Sequence, residues 1–252
     1  MDSRNNTRTI LLKCPHGSCC NRELTGILFH QVEVSRGQAT QARYDNTLST
    51  SALDYKVARF NLTDSTLIGG LSKLSLERIA GLHLGFEEIP REELSDPQDH
   101  SVRFSLSLEN TTVRDIVGTL CQFDNRYTWS TDGPSINVYP REIIGDPSYF
   151  LNREVEQINL TDIRDPDQAL TPLARQFPNG HIGYIQMGGD ISYGKPWTAR
   201  FEQVTVRQFT NRIAEHIGSQ SSWIWQGGKD SRMFTFIKGG FQTQLVKHRH
   251  TS

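Results

Sequence analysis

Along residues 56–240 the apolar positions switch between two periods, one of two residues and one of three to four. Val102, Phe104, Leu106 and Leu108 fall at every second position, the pattern of a half-buried strand. Val113, Ile116, Val117 and Leu120 then fall at i, i+3, i+4 and i+7, one face of a helix. The same succession returns as Trp197, Ala199 and Phe201, followed by Val206, Phe209, Ile213 and Ile217. The segments beginning at Leu108 and at Phe201, 93 residues apart, align in register: Glu109 with Glu202, and Thr112-Val113-Arg114 with Thr205-Val206-Arg207. Each helix start has a physical reason, because the threonine hydroxyl can accept from an orphan N–H of the first turn. Thr205 with Gln208 has capping-box spacing, and Thr112 with Asp115 is a looser version.

After each helix an aromatic and β-branched alternation runs through a glycine-containing turn. Tyr127-Thr128-Trp129 leads through Gly133-Pro134 to Ile136-Asn137-Val138-Tyr139, and Trp223-Ile224-Trp225 leads through Gly227-Gly228 to Phe234-Thr235-Phe236. Both stretches predict β-α-β-β units. A weaker β-α-β pattern precedes each of them. Phe60 and Leu62 lead to Leu67, Ile68, Leu71 and Leu74 and then to a strand over 82–89. Ile158 and Leu160 lead to Asp165-Pro166, a strong helix start, and then to a strand over 182–185. The expected fold class is therefore α+β, with two repeated β-α-β/β-α-β-β domains, each a small mixed sheet carrying two helices. The domains are expected at 56–142 and 154–240, joined by a linker over 143–153, by duplication of the whole unit.

Phe60-x-Leu62 before the Leu67, Leu71, Leu74 helix resembles the opening half of the secretin and TonB short N-terminal (STN) domain. Phe104-x-Leu106-x-Leu108, Thr112-Val113-Arg114, Tyr127-x-Trp129 and Ile136-x-Val138-Tyr139 resemble its second half. The resemblance covers residues 56–240 and rests on hydrophobic pattern; as a stand-alone tandem the chain also resembles proteins of soil bacteria. It implies a periplasmic or envelope-associated module that contacts a transducer, a secretin or an assembly component, and performs no chemistry. Gly69-Gly70 inside the first helix departs from the pattern, at about 1–2 kcal/mol relative to two alanines.

Composition adjusts this picture at three points. The 252 residues carry 27 Lys+Arg against 28 Asp+Glu, a net charge of −1, so there is no global field for nucleic acid and none is expected as a partner. No apolar run approaches the ~20 residues of a membrane helix, so the chain is not expected to span a bilayer. Residues 1–55 are rich in Asn, Thr, Ser, Gln and Arg and read as a poorly ordered arm; residues 241–252 read as a basic tail. No secretory signal opens the chain, which implies a cytoplasmic protein if Met1 is the true start, against the resemblance. Cys14, Cys19 and Cys20 stand near His16, yet no second ligand pair follows at zinc-site spacing, and no metal or other cofactor is expected. Cys121 falls on the apolar side of its helix.

Motifs of chemistry are sparse. Glu87, Glu88, Glu92 and Glu93 cluster after the first helix, where a solvated loop is favoured over opposed catalytic carboxylates. None of the eight histidines forms a metalloprotease-type pair, and no catalytic residue is assigned. His216 reads as a satisfied structural histidine. Arg114 and Arg207 sit in first helical turns, where the dipole disfavours a cation. Their recurrence predicts surface ion pairs with Glu109 and Glu202 and marks them as candidate partner-binding residues. Trp223 and Trp225 share one face of a strand and, with Trp197, are the candidate ligand platform, with packing under a helix as the structural alternative. Three functions are weighed: a non-enzymatic interaction module using sheet edges or helix faces, a glycan- or small-ligand-binding envelope protein using these tryptophans, and an enzyme of unrecognised type, which would need His216 or His181 in a cleft with carboxylates. Exposure of the rings decides between the first two.

Overall fold

The alternating segments form ribbons, and the three-to-four period forms helices. In the computed structural model, β1 (Lys56–Ser65) pairs antiparallel with β3 (Phe104–Thr112), and β6 (Glu154–Ile163) pairs antiparallel with β8 (Trp197–Thr205). The structure describes residues 52–89, 102–177, 182–187, 195–227 and 232–238, all within the compact unit 44–252. The arm's 1–51, Cys14, Cys19, Cys20, Glu92, Glu93 and the tail 241–252 lie outside the described residues. The core begins slightly before the expected boundary, since Ala52 and Leu53 are buried.

β1 and β6 share the same alternation of buried and exposed positions, with Val57, Phe60 and Leu62 matched by Val155, Ile158 and Leu160. Both ribbons slip register after their last buried leucine, and an aspartate in the left-handed region (Asp64, φ 45°; Asp162, φ 56°) takes up the slip. The Asp64 amide donates to Ser105 Oγ (3.1 Å) and the Asp162 amide to Thr198 Oγ1 (3.2 Å), so each bulge is closed by the facing strand.

Among the described residues four α-helices form, and three of them start at the caps expected at Thr112, Asp165 and Thr205. α1 (Leu67–Leu76) is capped by Thr66, α2 (Val113–Phe123) by Thr112, α3 (Pro166–Gln176) by Asp165 and α4 (Val206–Ile217) by Thr205. In α4 the full capping box forms: Gln208 N–H donates to Thr205 Oγ1 (3.2 Å) and Thr205 N–H donates to Gln208 Oε1 (2.8 Å). Gly70 in α1 is explained by packing rather than by helix propensity. A Cβ there would lie 2.5 Å from Leu120 Cδ2 and 3.2 Å from Leu62 Cδ1, so glycine lets α1 close onto α2 and β1. Among the described residues, no helix is long and apolar enough to cross a membrane.

The remaining strands are β2 (His83–Glu88), β4 (Tyr127–Asp132), β5 (Ser135–Pro140), β7 (Ile182–Met187), β9 (Ser221–Gly227) and β10 (Arg232–Lys238). They form a single six-stranded sheet in the order β4-β5-β2-β9-β10-β7. The fold is α+β, and both halves of the chain present their elements in the same order. They meet inside this sheet, through the parallel pairing of β2 with β9.

Side-chain alternation places the helices. In β2, Leu84 and Phe86 enter the core that contains Leu71, Leu74, Ile116 and Leu120 of α1 and α2. Gly85 and Glu87 point the other way, toward Trp223 and toward Arg207 of α4. In β9 and β10, Trp223, Trp225, Phe234 and Phe236 join Leu173 of α3 and Phe209 and Ile213 of α4. The two helix pairs therefore cover opposite faces of the shared sheet.

Candidate functional site

Most of the buried polar chemistry lies where the two halves meet. β2 runs Leu84↔Ser222, Gly85↔Trp223, Phe86↔Ile224, Glu87↔Trp225 and Glu88↔Gln226 along β9. Arg207, in the first turn of α4, reaches across to Glu87 with a two-pronged contact. Nη2 donates to Oε2 (3.0 Å) and Nε donates to Oε1. The third nitrogen, Nη1, donates to Asn152 Oδ1 (2.7 Å), and the guanidinium lies over the Tyr139 ring, 4.7 Å from its centroid. Asn152 is itself fixed, donating to the carbonyls of Ile143 (2.7 Å) and Asp146 (2.8 Å). The 143–153 segment, expected as a linker, thus folds back onto the joint.

The Glu87 side chain has no solvent exposure and that of Arg207 has 14%. Complete burial pushes the Glu87 carboxyl above its ordinary range, against the pull of Arg207. Burial also opposes the Arg207 charge, but the hydrogen bonds and charge of Glu87 outweigh it and hold the guanidinium above its usual range. Tyr149 is buried beside them; burial first, then the Glu87 charge, raises its hydroxyl well above the phenol range. A carboxylate so enclosed reaches no substrate unless the sheet opens. This cluster acts as a lock.

A second polar chain runs along the same face. Trp223 Nε1 donates to Asn211 Oδ1 (2.9 Å), and Asn211 Nδ2 donates to Asp132 Oδ2 (3.0 Å). Arg212 bridges Asp132 (3.0 Å) and Glu215 (2.8 Å), and Ser135 Oγ donates to Glu215 Oε1 (2.9 Å). The Asn211–Asp132, Arg212–Asp132 and Ser135–Glu215 links join α4 to the β4–β5 hairpin of the other half.

At the start of the joint, His83 is buried with Nδ1 3.1 Å from Ser221 Oγ and 3.2 Å from the Ser221 carbonyl. Burial lowers its pKa from 6.5, against the Ser221 contact. The unfolded chain therefore takes up a proton that the folded protein refuses. Stability is full above about pH 6.5 and declines as pH falls below it toward the lowered folded value. The expected result is a steeper loss of Tm between about pH 7.5 and about pH 5.5 in wild type than in His83→Gln. His216, lowered in the same direction by partial burial, leaves a residual slope in the variant. Equal slopes would remove His83 from the account.

The candidate residues fall as follows. Trp223 and Trp225 are 1% and 2% exposed, and Trp197 is 9% exposed, stacked on His216 at 4.6 Å. The ligand platform is corrected: these rings face the α4 layer and offer no surface to a sugar or peptide. Tyr127, in the corresponding strand of the first half, is buried and stacks on Phe86 at 5.4 Å. The expected pairs of Arg114 with Glu109 and of Arg207 with Glu202 are also corrected. Arg114 is exposed and lies 3.6 Å from Asp54, while Glu109 faces Arg59 (3.6 Å) and Glu202 pairs with Arg200. Arg207 takes Glu87, which lies in β2 rather than in a solvated loop. Cys121 is buried, and burial pushes its thiol up to about 12.

Among the described residues, the strands at the two ends of the six-stranded sheet pair on one side only, as do the strands of both ribbons. Among the described residues, β4 pairs only with β5, and β7 pairs only with β10. β7 reads Ile182-Gly183-Tyr184-Ile185-Gln186-Met187, with no charged residue, and Ile185 is 47% exposed. β4 carries one charge, Asp132, and that is engaged by Arg212. The signal for these edges was present in the strand patterns; their position at the ends of a joint sheet was not. Comparison of the chain with protein-family models, with curated proteins and with solved structures finds no match.

Proposed function

We propose that this chain is a non-enzymatic protein–protein interaction module that recruits its partner by strand addition at an open sheet edge, in the bacterial envelope setting that the STN resemblance implies. One observation carries this reading: an uncharged, hydrophobic strand, β7, lies at a sheet edge with Ile185 exposed. Edge strands in folded proteins are commonly blunted by lysine, proline or inward charge, because unpaired N–H and C=O groups template another strand. β7 has none of these devices. Strand addition draws affinity from main-chain hydrogen bonds and specificity from alternate side chains, and needs no cavity.

The test is a photoreactive residue placed at Ile185, with an identical probe at the exposed Glu156 of β6 as a control. The expected result is an intermolecular adduct from position 185, mapped to an extended segment of a defined protein, and far less from position 156. Equal labelling from both positions, or none between molecules from 185, would falsify the reading.

A further inference from the structure

The joint between the halves is a template for a second joint. Strand senses across the sheet follow from the pairings: β5 and β2 run together with β4 opposed, β9 runs with β2, and β10 and β7 run together opposed to β9. The first half therefore contributes β4 down, β5 up, β2 up. The second contributes its counterparts in the same order with every sense reversed: β9 up, β10 down, β7 down. The helix layers lie on opposite faces. One operation does all three: a half-turn about an axis lying in the sheet across the strands, with a step of three strands, about 14 Å. Such an operation is heterologous and does not close on itself.

Applied once more, the same step sets a β4-type strand parallel against β7, as β9 lies parallel against β2. We propose that a second copy of this chain docks head to tail, its β4 edge pairing in parallel with the β7 edge of the first. This rests on the reading of the chain as an interaction module, and names its partner. Among the described residues no further strand pairs with either edge, Arg141 Nη2 donates to the Tyr127 carbonyl at the start of β4 (3.1 Å), and neither strand carries an unengaged charge.

The second joint differs from the first in strength. On the face turned away from its own half's helices, β2 carries Gly85 and Glu87, and β7 carries Gly183, Ile185 and Met187. On α2, the positions 93 residues before Arg207, Asn211, Arg212 and Glu215 of α4 are Arg114, Gly118, Thr119 and Gln122. Gly118 and Thr119 bring no charge to this place, and no buried acid awaits Arg114. Apolar contact and main-chain pairing replace the buried ion pair. The docking is therefore expected to be weaker than the internal joint.

Sedimentation of the full chain from micromolar to millimolar concentration tests this. Wild type is expected to give a concentration-dependent series that extends past the dimer. Ile185→Lys blocks the β7 edge and Thr131→Lys blocks the β4 edge; each alone is expected to weaken association about tenfold or more, because the ammonium would be buried unpaired. Mixed, they retain one good edge each and are expected to form a 1:1 pair that grows no further. The mixture also shows that both variants are folded; if Ile185→Lys fails to fold, Gln186→Lys charges the same edge from an exposed position. A wild-type chain monomeric throughout, a Thr131→Lys chain that dimerises like wild type, or a mixture that does not associate overturns the proposal. The probe at Ile185 separates the two levels. An adduct to β4 of a second copy supports head-to-tail docking. An adduct to a different protein overturns the docking and leaves the interaction module standing, and no intermolecular adduct overturns both.

Discussion

Glu87→Ala is expected to destabilise the protein by about 3–5 kcal/mol, the range for removing one partner of a buried ion pair. The reason is the charge left behind. Arg207 would keep only Asn152 and the Tyr139 ring in a place where its own burial already opposes the cation. Against a total stability of roughly 5–15 kcal/mol, this leaves the fold marginal. Urea unfolding followed by tryptophan fluorescence measures it directly, since Trp223 and Trp225 are buried beside the joint. The double variant Glu87→Met with Arg207→Met is expected to recover at least half of the loss, because it removes both charges together. A shift below about 1 kcal/mol for Glu87→Ala would mean that the pair does not hold the halves together.

The second large effect comes from the glycine under a tryptophan. A Cβ at Gly85 would sit inside contact distance of the Trp223 ring and 2.7 Å from Asn137 Oδ1. The ring has nowhere to go, being fully buried with Nε1 bonded to Asn211. Gly85→Ala is therefore expected to destabilise by about 2–3 kcal/mol through overpacking. Trp223→Ala is expected to destabilise by about 3–5 kcal/mol, for a cavity and for an orphaned Asn211 carbonyl. The pair should be strongly non-additive: in a Trp223→Phe background, Gly85→Ala should cost clearly less than in wild type. Additive losses would show that the two residues do not share the contact. Because Gly85 and Trp223 come from different halves, the cycle measures the joint itself.

Local structure was highly legible. Thr112, Asp165 and Thr205 each mark a helix start by a mechanism confined to one turn, and each caps its helix. The hairpins at Gly133-Pro134 and after Trp225 follow from alternation and turn residues alone. The site was much less legible. Glu87 stands beside Glu88 and near Glu92 and Glu93, and by composition that is a solvated run; only its place in a strand sandwiched between helix layers makes it a buried partner for Arg207, 120 residues away. One trace was visible. An arginine in the first turn of a helix is mildly disfavoured, and its presence asked for a partner. Nearest-neighbour reasoning supplied Glu202, whereas the fold supplied Glu87. Trp223 and Trp225 show the same ambiguity, since an i, i+2 pair on a strand is equally a platform or a core until the covering layer is known.

The chain by itself determined the elements, their order, their caps and the α+β class, because period, capping and turn chemistry act within a few residues. It also determined that the second half presents the same order of elements as the first. Tertiary structure alone decided that the halves share a sheet through β2 and β9, which face each carries its helices on, and which strands remain at the edges. Those facts depend on which strand edges meet across more than a hundred residues, and strand pairing is written in main-chain hydrogen bonds that every sequence carries alike. The buried Glu87–Arg207 pair, the Gly85–Trp223 contact and the open β7 edge are all consequences of that one choice of neighbours.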